Sequence, residues 1–141
     1  MSNYKTFVDD RELLAFYVTD KQKEVQFSNN QVKGDFFLPR PNYHRNNFLE
    51  TSCVRYGNRS TNDMQNAGQS WARRYKKNFV GHVSLQAMII RNVKPLDVNH
   101  TYRNWEKLHS DVINWNEDEV YQRVQAEEIA QQKRYIDFHD A

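Results

Sequence analysis

Apolar and polar positions alternate with two different periods along this chain, and each change of period marks an element. Over residues 49–56 the period is two: Ser52, Val54 and Tyr56 fall on one side and Leu49, Thr51, Cys53 and Arg55 on the other, which predicts a strand. The period lengthens to helical spacing over 61–77, where Met64, Ala67, Gly68, Trp71, Ala72 and Tyr75 form one stripe. Ser60 and Asp63 mark the start of that helix. Arg73, Arg74, Lys76 and Lys77 load its end with the charge that a helix C-terminus favours. Strict alternation returns over 79–85, with Phe79, Gly81, Val83 and Leu85 on one face and His82 and Ser84 on the other.

The remaining segments carry weaker patterns. Residues 9–18 read as a short first helix, because Asp9 and Glu12 have capping-box spacing and Leu13, Leu14, Phe16 and Tyr17 follow. The polar stretch 19–34 is expected to be an exposed loop or a weak hairpin. Pro39 and Pro41 block ladder hydrogen bonds, so the segment around them is at most an edge strand. Residues 86–92 fit a helical turn or a continued strand, 93–98 predict a strand interrupted by Pro95, and 109–115 a short strand. Asn116 with Glu119 predicts the cap of a last helix reaching to about Arg134, its apolar edge formed by Val120, Val124, Ile129 and Ala130.

Helix, strands, helix, strands, helix is an order without regular βαβ alternation. It predicts an α+β fold, a small mixed or antiparallel sheet with about three packed helices. At 141 residues the chain is expected to form one domain, 1–141, with 1–8 and 135–141 frayed. The expected core is Val54, Met64, Ala67, Trp71, Val83, Leu85, Ile113 and Ile129.

Composition changes this picture in three places. Hydrophobic residues make up only 38% and charged residues 27%, but eight Tyr, eight Phe and three Trp supply enough buriable area for an ordered domain. A formal charge of +2 is small for a protein that binds nucleic acid by counterion release, so such binding is expected to be weak. A single cysteine, Cys53, leaves no intrachain disulfide and fits a reducing compartment. The first ten residues lack the apolar run of a signal peptide, and no stretch approaches the roughly 20 apolar residues of a membrane span. The expected location is the cytoplasm, with no membrane partner.

Candidate chemistry is sparse. His44, His82, His100, His109 and Cys53 show no H-E-x-x-H or C-x-x-C spacing, so no metal site or cofactor is expected. Phosphate-cradling glycine loops are absent, and Cys53 reads as a small buried hydrophobe. Arg55, His82 and His109 lie on or beside predicted strands and form the candidate polar site, in which an arginine fork would hold an anionic group and a histidine would move protons. Taken singly, each also suits a structural role. The basic end of the central helix reads chiefly as a solvated helix terminus. Trp105 and Tyr102, in a polar loop, are the candidate interaction surface.

Four places in the chain resemble a family of short, uncharacterised bacterial proteins. They are Val32-Lys33 with Phe37 and Pro39, and Ser52-Cys53-Val54-Arg55 against a strand ending S-V-x-R. Next comes Ala67-Gly68 with Val80-Gly81-His82-Val83-Ser84-Leu85-Gln86, against I-G and Y-G-R-A-D-x-Q. Last is the segment from His109 to Asn116 with Ala126-Glu127-Glu128-Ile129-Ala130, against H-A-N-I-x-G-W-P and A-L-E-I-A. The chain departs from that pattern at His82, where the family has Arg, and at Asn114 and Asn116, where it has Gly and Pro. The resemblance implies a component of a multi-gene accessory or defence cassette. Two functions are expected: an accessory protein acting through a protein partner or, as the alternative drawn from the polar positions, a small enzyme or binding protein for a nucleotide or NAD-like phosphorylated ligand, a small anionic ligand held by Arg55 with His82 or His109.

Overall fold

The longest apolar run of the chain, Leu13 to Val18, crosses the middle of a sheet as strand β1 (Leu13–Thr19). The expected first helix is therefore corrected to a strand. The computed structural model, which describes residues 6–28, 31–43 and 46–138, gives the physical reason. Both sides of this run are apolar, and it is buried on both faces, as a central strand requires. The Asp9–Glu12 signal is local: Glu12 Oε2 accepts a hydrogen bond from Asp9 N at 2.6 Å, but the turn that it closes feeds a strand.

The polar stretch after β1 holds a helix that composition hid. Helix α1 (Asp20–Gln26) starts at a capping box between Thr19 and Gln22. A short hairpin follows, β2 (Phe27–Ser28) with β3 (Gln31–Val32), then a 3-10 turn at Gly34–Phe37. Strand β4 (Arg40–Asn42) pairs only with β5 (Phe48–Arg55), the edge position that the two prolines demand. Helix α2 (Thr61–Tyr75) begins at the Ser60–Asp63 capping box and ends on Lys76 in the left-handed conformation. After it come β6 (Phe79–Gln86), α3 (Ala87–Asn92), β7 (Asp97–His100), β8 (His109–Ile113), α4 (Glu119–Ala130) and β9 (Tyr135–Phe138).

The result is an α+β fold whose antiparallel sheet runs β7-β8-β5-β1-β6-β9, with β4 attached to β5. One face carries the larger core, in which Leu14, Phe16, Phe37, Cys53, Val83, Leu85, Ile90, Val112 and Ile129 pack together with α3 and α4. The other face carries a small core of Ala15, Val54, Met64 and Leu108 beneath α2. Gly68 lets α2 settle there, because a Cβ on it would stand 2.3 Å from Phe79 Cε1.

The sheet is split along its centre. Strands β1 and β5 are paired only at Leu14↔Arg55 and Ala15↔Val54. Beyond Ala15, β1 follows β6 as far as Thr19, while β5 follows β8 and takes up β4.

Several other expectations are corrected. The strand expected over 93–98 begins only at Asp97, and the last helix starts at an Asp118 cap and stops at Ala130. Val120 and Val124 are exposed rather than packed. Phe79 sits on the α2 face, because a register shift at Val18/Thr19 turns it there. Tyr135–Phe138 is a sheet strand and Val8 is core, whereas 1–5 and 139–141 lie outside the described residues. Ala67, Trp71 and Ile113 are half-buried, while Val54, Met64, Val83, Leu85 and Ile129 are core.

Candidate functional site

Alternation along β5 decides the fate of the expected polar site. Arg55 pairs with Leu14 on the face of the larger core, whereas Val54, its neighbour, pairs with His109 on the α2 face. Arg55 and His109 therefore leave opposite faces of the sheet. His82 shares the face of His109 but stands on β6, beyond β1. The three side chains expected to meet do not converge.

Arg55 is instead part of a closed cluster. Its Nη2 meets Glu12 Oε1 at 2.7 Å, its Nε donates to the same oxygen at 2.8 Å, and Nη1 lies 3.1 Å from His100 Nδ1. Burial first, and then the Arg55 charge, pull the His100 pKa below its ordinary value. Alongside, Arg91 ties Asp10 to Asp97 at 2.6 Å and 2.8 Å. This cluster joins the ends of β5 and β7 to the segment before β1. His82 is closed off too: Tyr56 Oη lies 2.7 Å from His82 Nε2 and bonds Ser84 Oγ, while burial pushes the Tyr56 pKa up.

The sheet opens where it splits, and α1 and the 3-10 turn as well as α2 border the opening. A cavity of about 590 Å³ lies there, lined by Ala15, Phe16 and Tyr17 of β1 and by every residue from Glu50 to Val54 of β5. Consecutive strand residues point to opposite faces, so an unbroken lining run means that the cavity meets the strand edges themselves. Ser52 is exposed although its strand is central. Its Oγ donates to the fully buried Asp111 at 3.3 Å, and Arg103 Nη2 lies 3.7 Å from the other Asp111 oxygen.

His109 forms part of the same lining. Its Nδ1 lies 2.8 Å from the Thr101 hydroxyl oxygen and 3.1 Å from the Thr101 carbonyl, so Thr101 holds that side of the ring. Burial foremost, then the Arg103 charge, lower the His109 pKa to about 4. The ring is therefore neutral rather than cationic at physiological pH.

One wall is aromatic. Tyr17 tilts against Trp71, Trp71 against Tyr75, Tyr75 meets Trp105 edge-on, and Trp105 meets the His109 ring at 5.6 Å between centroids. The loop that carries Trp105 is anchored by Glu106, gripped through both carboxylate oxygens by Arg59, with Nη2–Oε2 at 2.7 Å. Trp105 thus belongs to the cavity wall, while Tyr102, the other expected contact residue, is exposed outside it. Cys53 is buried and its thiol is pushed well above the ordinary pKa, chiefly by burial. Among the described residues no group of three or more His, Cys, Asp or Glu is placed to hold a metal ion, and His44 lies outside them.

Glu50, Ser52 and Tyr17 were not expected in a site, and Trp71, a possible stacking platform by residue type, was expected in the core instead. Ser52 carries little signal of its own, because Glu50, Thr51 and Arg55 are polar residues of the same strand. The split that exposes it had none, because it depends on which neighbours β1 and β5 each follow.

Fold and site together define a mixed α+β domain with a ligand-sized cavity opened between two central strands. No family model, no curated protein and no solved structure matches this chain. No helix among the described residues is long and apolar enough to cross a membrane.

Proposed function

We propose that this protein binds a small molecule in the split-sheet cavity. The observation that carries the reading is the conjunction of an aromatic wall with polar groups around one concave volume. A planar ring would lie against Trp71, Tyr75 and Trp105, and its polar edge would face Ser52 and the neutral His109 ring. Arg40, Lys77 and Arg103 stand around the same cavity and would accommodate an anionic substituent. The reading is of binding rather than turnover, since Arg55 takes no part and His109 is a weak base.

Two of the three tryptophans line the cavity, whereas Trp115 is core and donates its indole N–H to Val112 O at 3.1 Å. Ligand entry should therefore alter tryptophan fluorescence. The test is native mass spectrometry of the protein isolated from its own host, followed by fluorescence titration with whatever molecule is released. A protein that carries nothing, and whose fluorescence ignores a host metabolite extract, refutes the proposal.

A second reading, contact with a protein partner, is favoured by α4. Val120, Tyr121 and Val124 are exposed there at 68%, 59% and 50%. Val124→Asp should abolish partner capture without changing ligand-dependent fluorescence. Equal capture by both proteins would remove α4 from consideration.

A further inference from the structure

We infer that the ligand of this cavity is a heteroaromatic lactam, a planar ring system bearing a ring N–H beside a carbonyl. The inference rests on the binding reading above and adds the class of ligand. Its basis is the direction of main-chain groups at the split. Tyr56 N donates to Leu13 O on β1, and Arg55 N donates to Leu108 O on the opposite side. Alternation therefore turns the main-chain groups of Val54 and Ser52 toward β1. On β1, Ala87 N donates to Glu12 O, so Leu14 and Phe16 address β6 while Ala15 and Tyr17 address β5.

Ala15 and Val54 are paired. The next positions due to exchange hydrogen bonds are Tyr17 and Ser52, and there the ladder has ended. Neither main chain bonds in a turn or loop instead, among the described residues. Each of these residues thus offers the cavity one N–H and one C=O side by side, the two-point pattern that a facing strand would otherwise meet. The Tyr17 hydroxyl and the Oε1 of one further lining residue, Gln26, are also buried without a partner among the described residues.

An acyclic amide would satisfy this edge but leave the aromatic wall unused. A plain arene would do the reverse. A lactam ring fused into a flat aromatic system satisfies both, pairing its N–H and C=O with Ser52 or Tyr17 while its face covers Trp71 and Tyr75. Pyrimidinone and purinone bases belong to this class.

The test uses three probes of nearly one shape: carbostyril, its N-methyl derivative, and quinoline. Binding is followed by tryptophan fluorescence and by the backbone amide resonances of the intact protein. Carbostyril should bind, with the Ser52 or Tyr17 amide shifting downfield as it donates to the lactam carbonyl. The N-methyl derivative and quinoline should bind roughly 10-fold or more weakly, because each leaves a desolvated main-chain group unmet. If all three bind equally and quench Trp71 and Trp105, the cavity reading stands and the lactam class is wrong. Should none perturb either tryptophan, the lactam class falls, and the binding proposal is then decided by its own native-ligand test.

Discussion

Arg55 and His109 are equally buried, at 3% and 4% exposure, and they stand on neighbouring strands of one sheet. Their surroundings differ in kind. Arg55 has a carboxylate and an imidazole placed on its fork, so the cluster is complete within the chain. His109 has Thr101 on one ring nitrogen, while the other adjoins a cavity that the chain does not fill. The contrast teaches that burial and polarity alone do not mark a site. What marks it is a polar group whose partners the chain has left out, beside room for something to supply them.

The largest effect should come from breaking the complete cluster. Arg55→Ala leaves Glu12 and His100 facing each other without the cation between them, and losing one partner of a buried pair costs about 3–5 kcal/mol. Urea melting measures it. A loss below about 1 kcal/mol would mean that the cluster is no tie at all. Ligand-dependent fluorescence of whatever protein remains folded should be unchanged, since Arg55 lies on the other face of the sheet.

Next in size is the pH dependence of His109. Its folded pKa of about 4 lies below the ordinary 6.5, so the unfolded chain binds the proton first as pH falls. The stabilisation is complete above the ordinary value and is lost between there and the folded one, by about 3 kcal/mol in all. His109→Asn, which keeps a donor for the Thr101 carbonyl, should flatten stability between about pH 6.5 and 4. His100, whose pKa is also lowered, leaves a smaller slope of the same sign. An unchanged slope in the variant would place the titration elsewhere.

Gly68→Ala sharpens the comparison from the helix side. The added methyl would meet the Phe79 ring at 2.3 Å and 2.4 Å, and that ring is itself held edge-on by Tyr17. Overpacking of this kind costs about 1–3 kcal/mol, partly offset by the better helix propensity of Ala. Because α2 must shift outward, Trp71 and Tyr75 should move and ligand binding should weaken as well. Unaltered binding with reduced stability would show that the aromatic wall does not depend on how α2 is seated.

These positions also show how far the sequence could be read. The α+β class, β5, β6 and α2 were legible because Ser52, Val54 and Tyr56 alternate cleanly and Met64, Gly68 and Ala72 repeat at helical spacing. β1 was not, because an apolar run buried on both faces has no period to separate strand from helix. α1 was hidden for the opposite reason: with no buried residue, it shows only its Thr19 cap. The individual members of the site were visible as residue types, but the site was not. Whether Arg55 joins His109 turns on a single step of parity along β5, and the cavity on a ladder that stops after Ala15.

The smallest effect on stability belongs to Trp105, and it is the one that best separates the two regions. The ring is half-buried, touching Tyr75 and His109 by its edges, while Glu106 and Arg59 hold its loop in place without it. Trp105→Ala should therefore cost about 1 kcal/mol, less than the 3–5 kcal/mol of a fully packed aromatic. Binding should respond far more strongly, because a stacking surface is lost where the ligand ring is proposed to lie. A loss of affinity of about 10-fold with nearly unchanged urea melting would set Trp105 apart from Arg55, whose replacement should do the reverse. A stability loss as large as that of Arg55→Ala would make Trp105 a structural residue. The cavity wall would then be part of the core, and the distinction between a closed cluster and an open one would disappear.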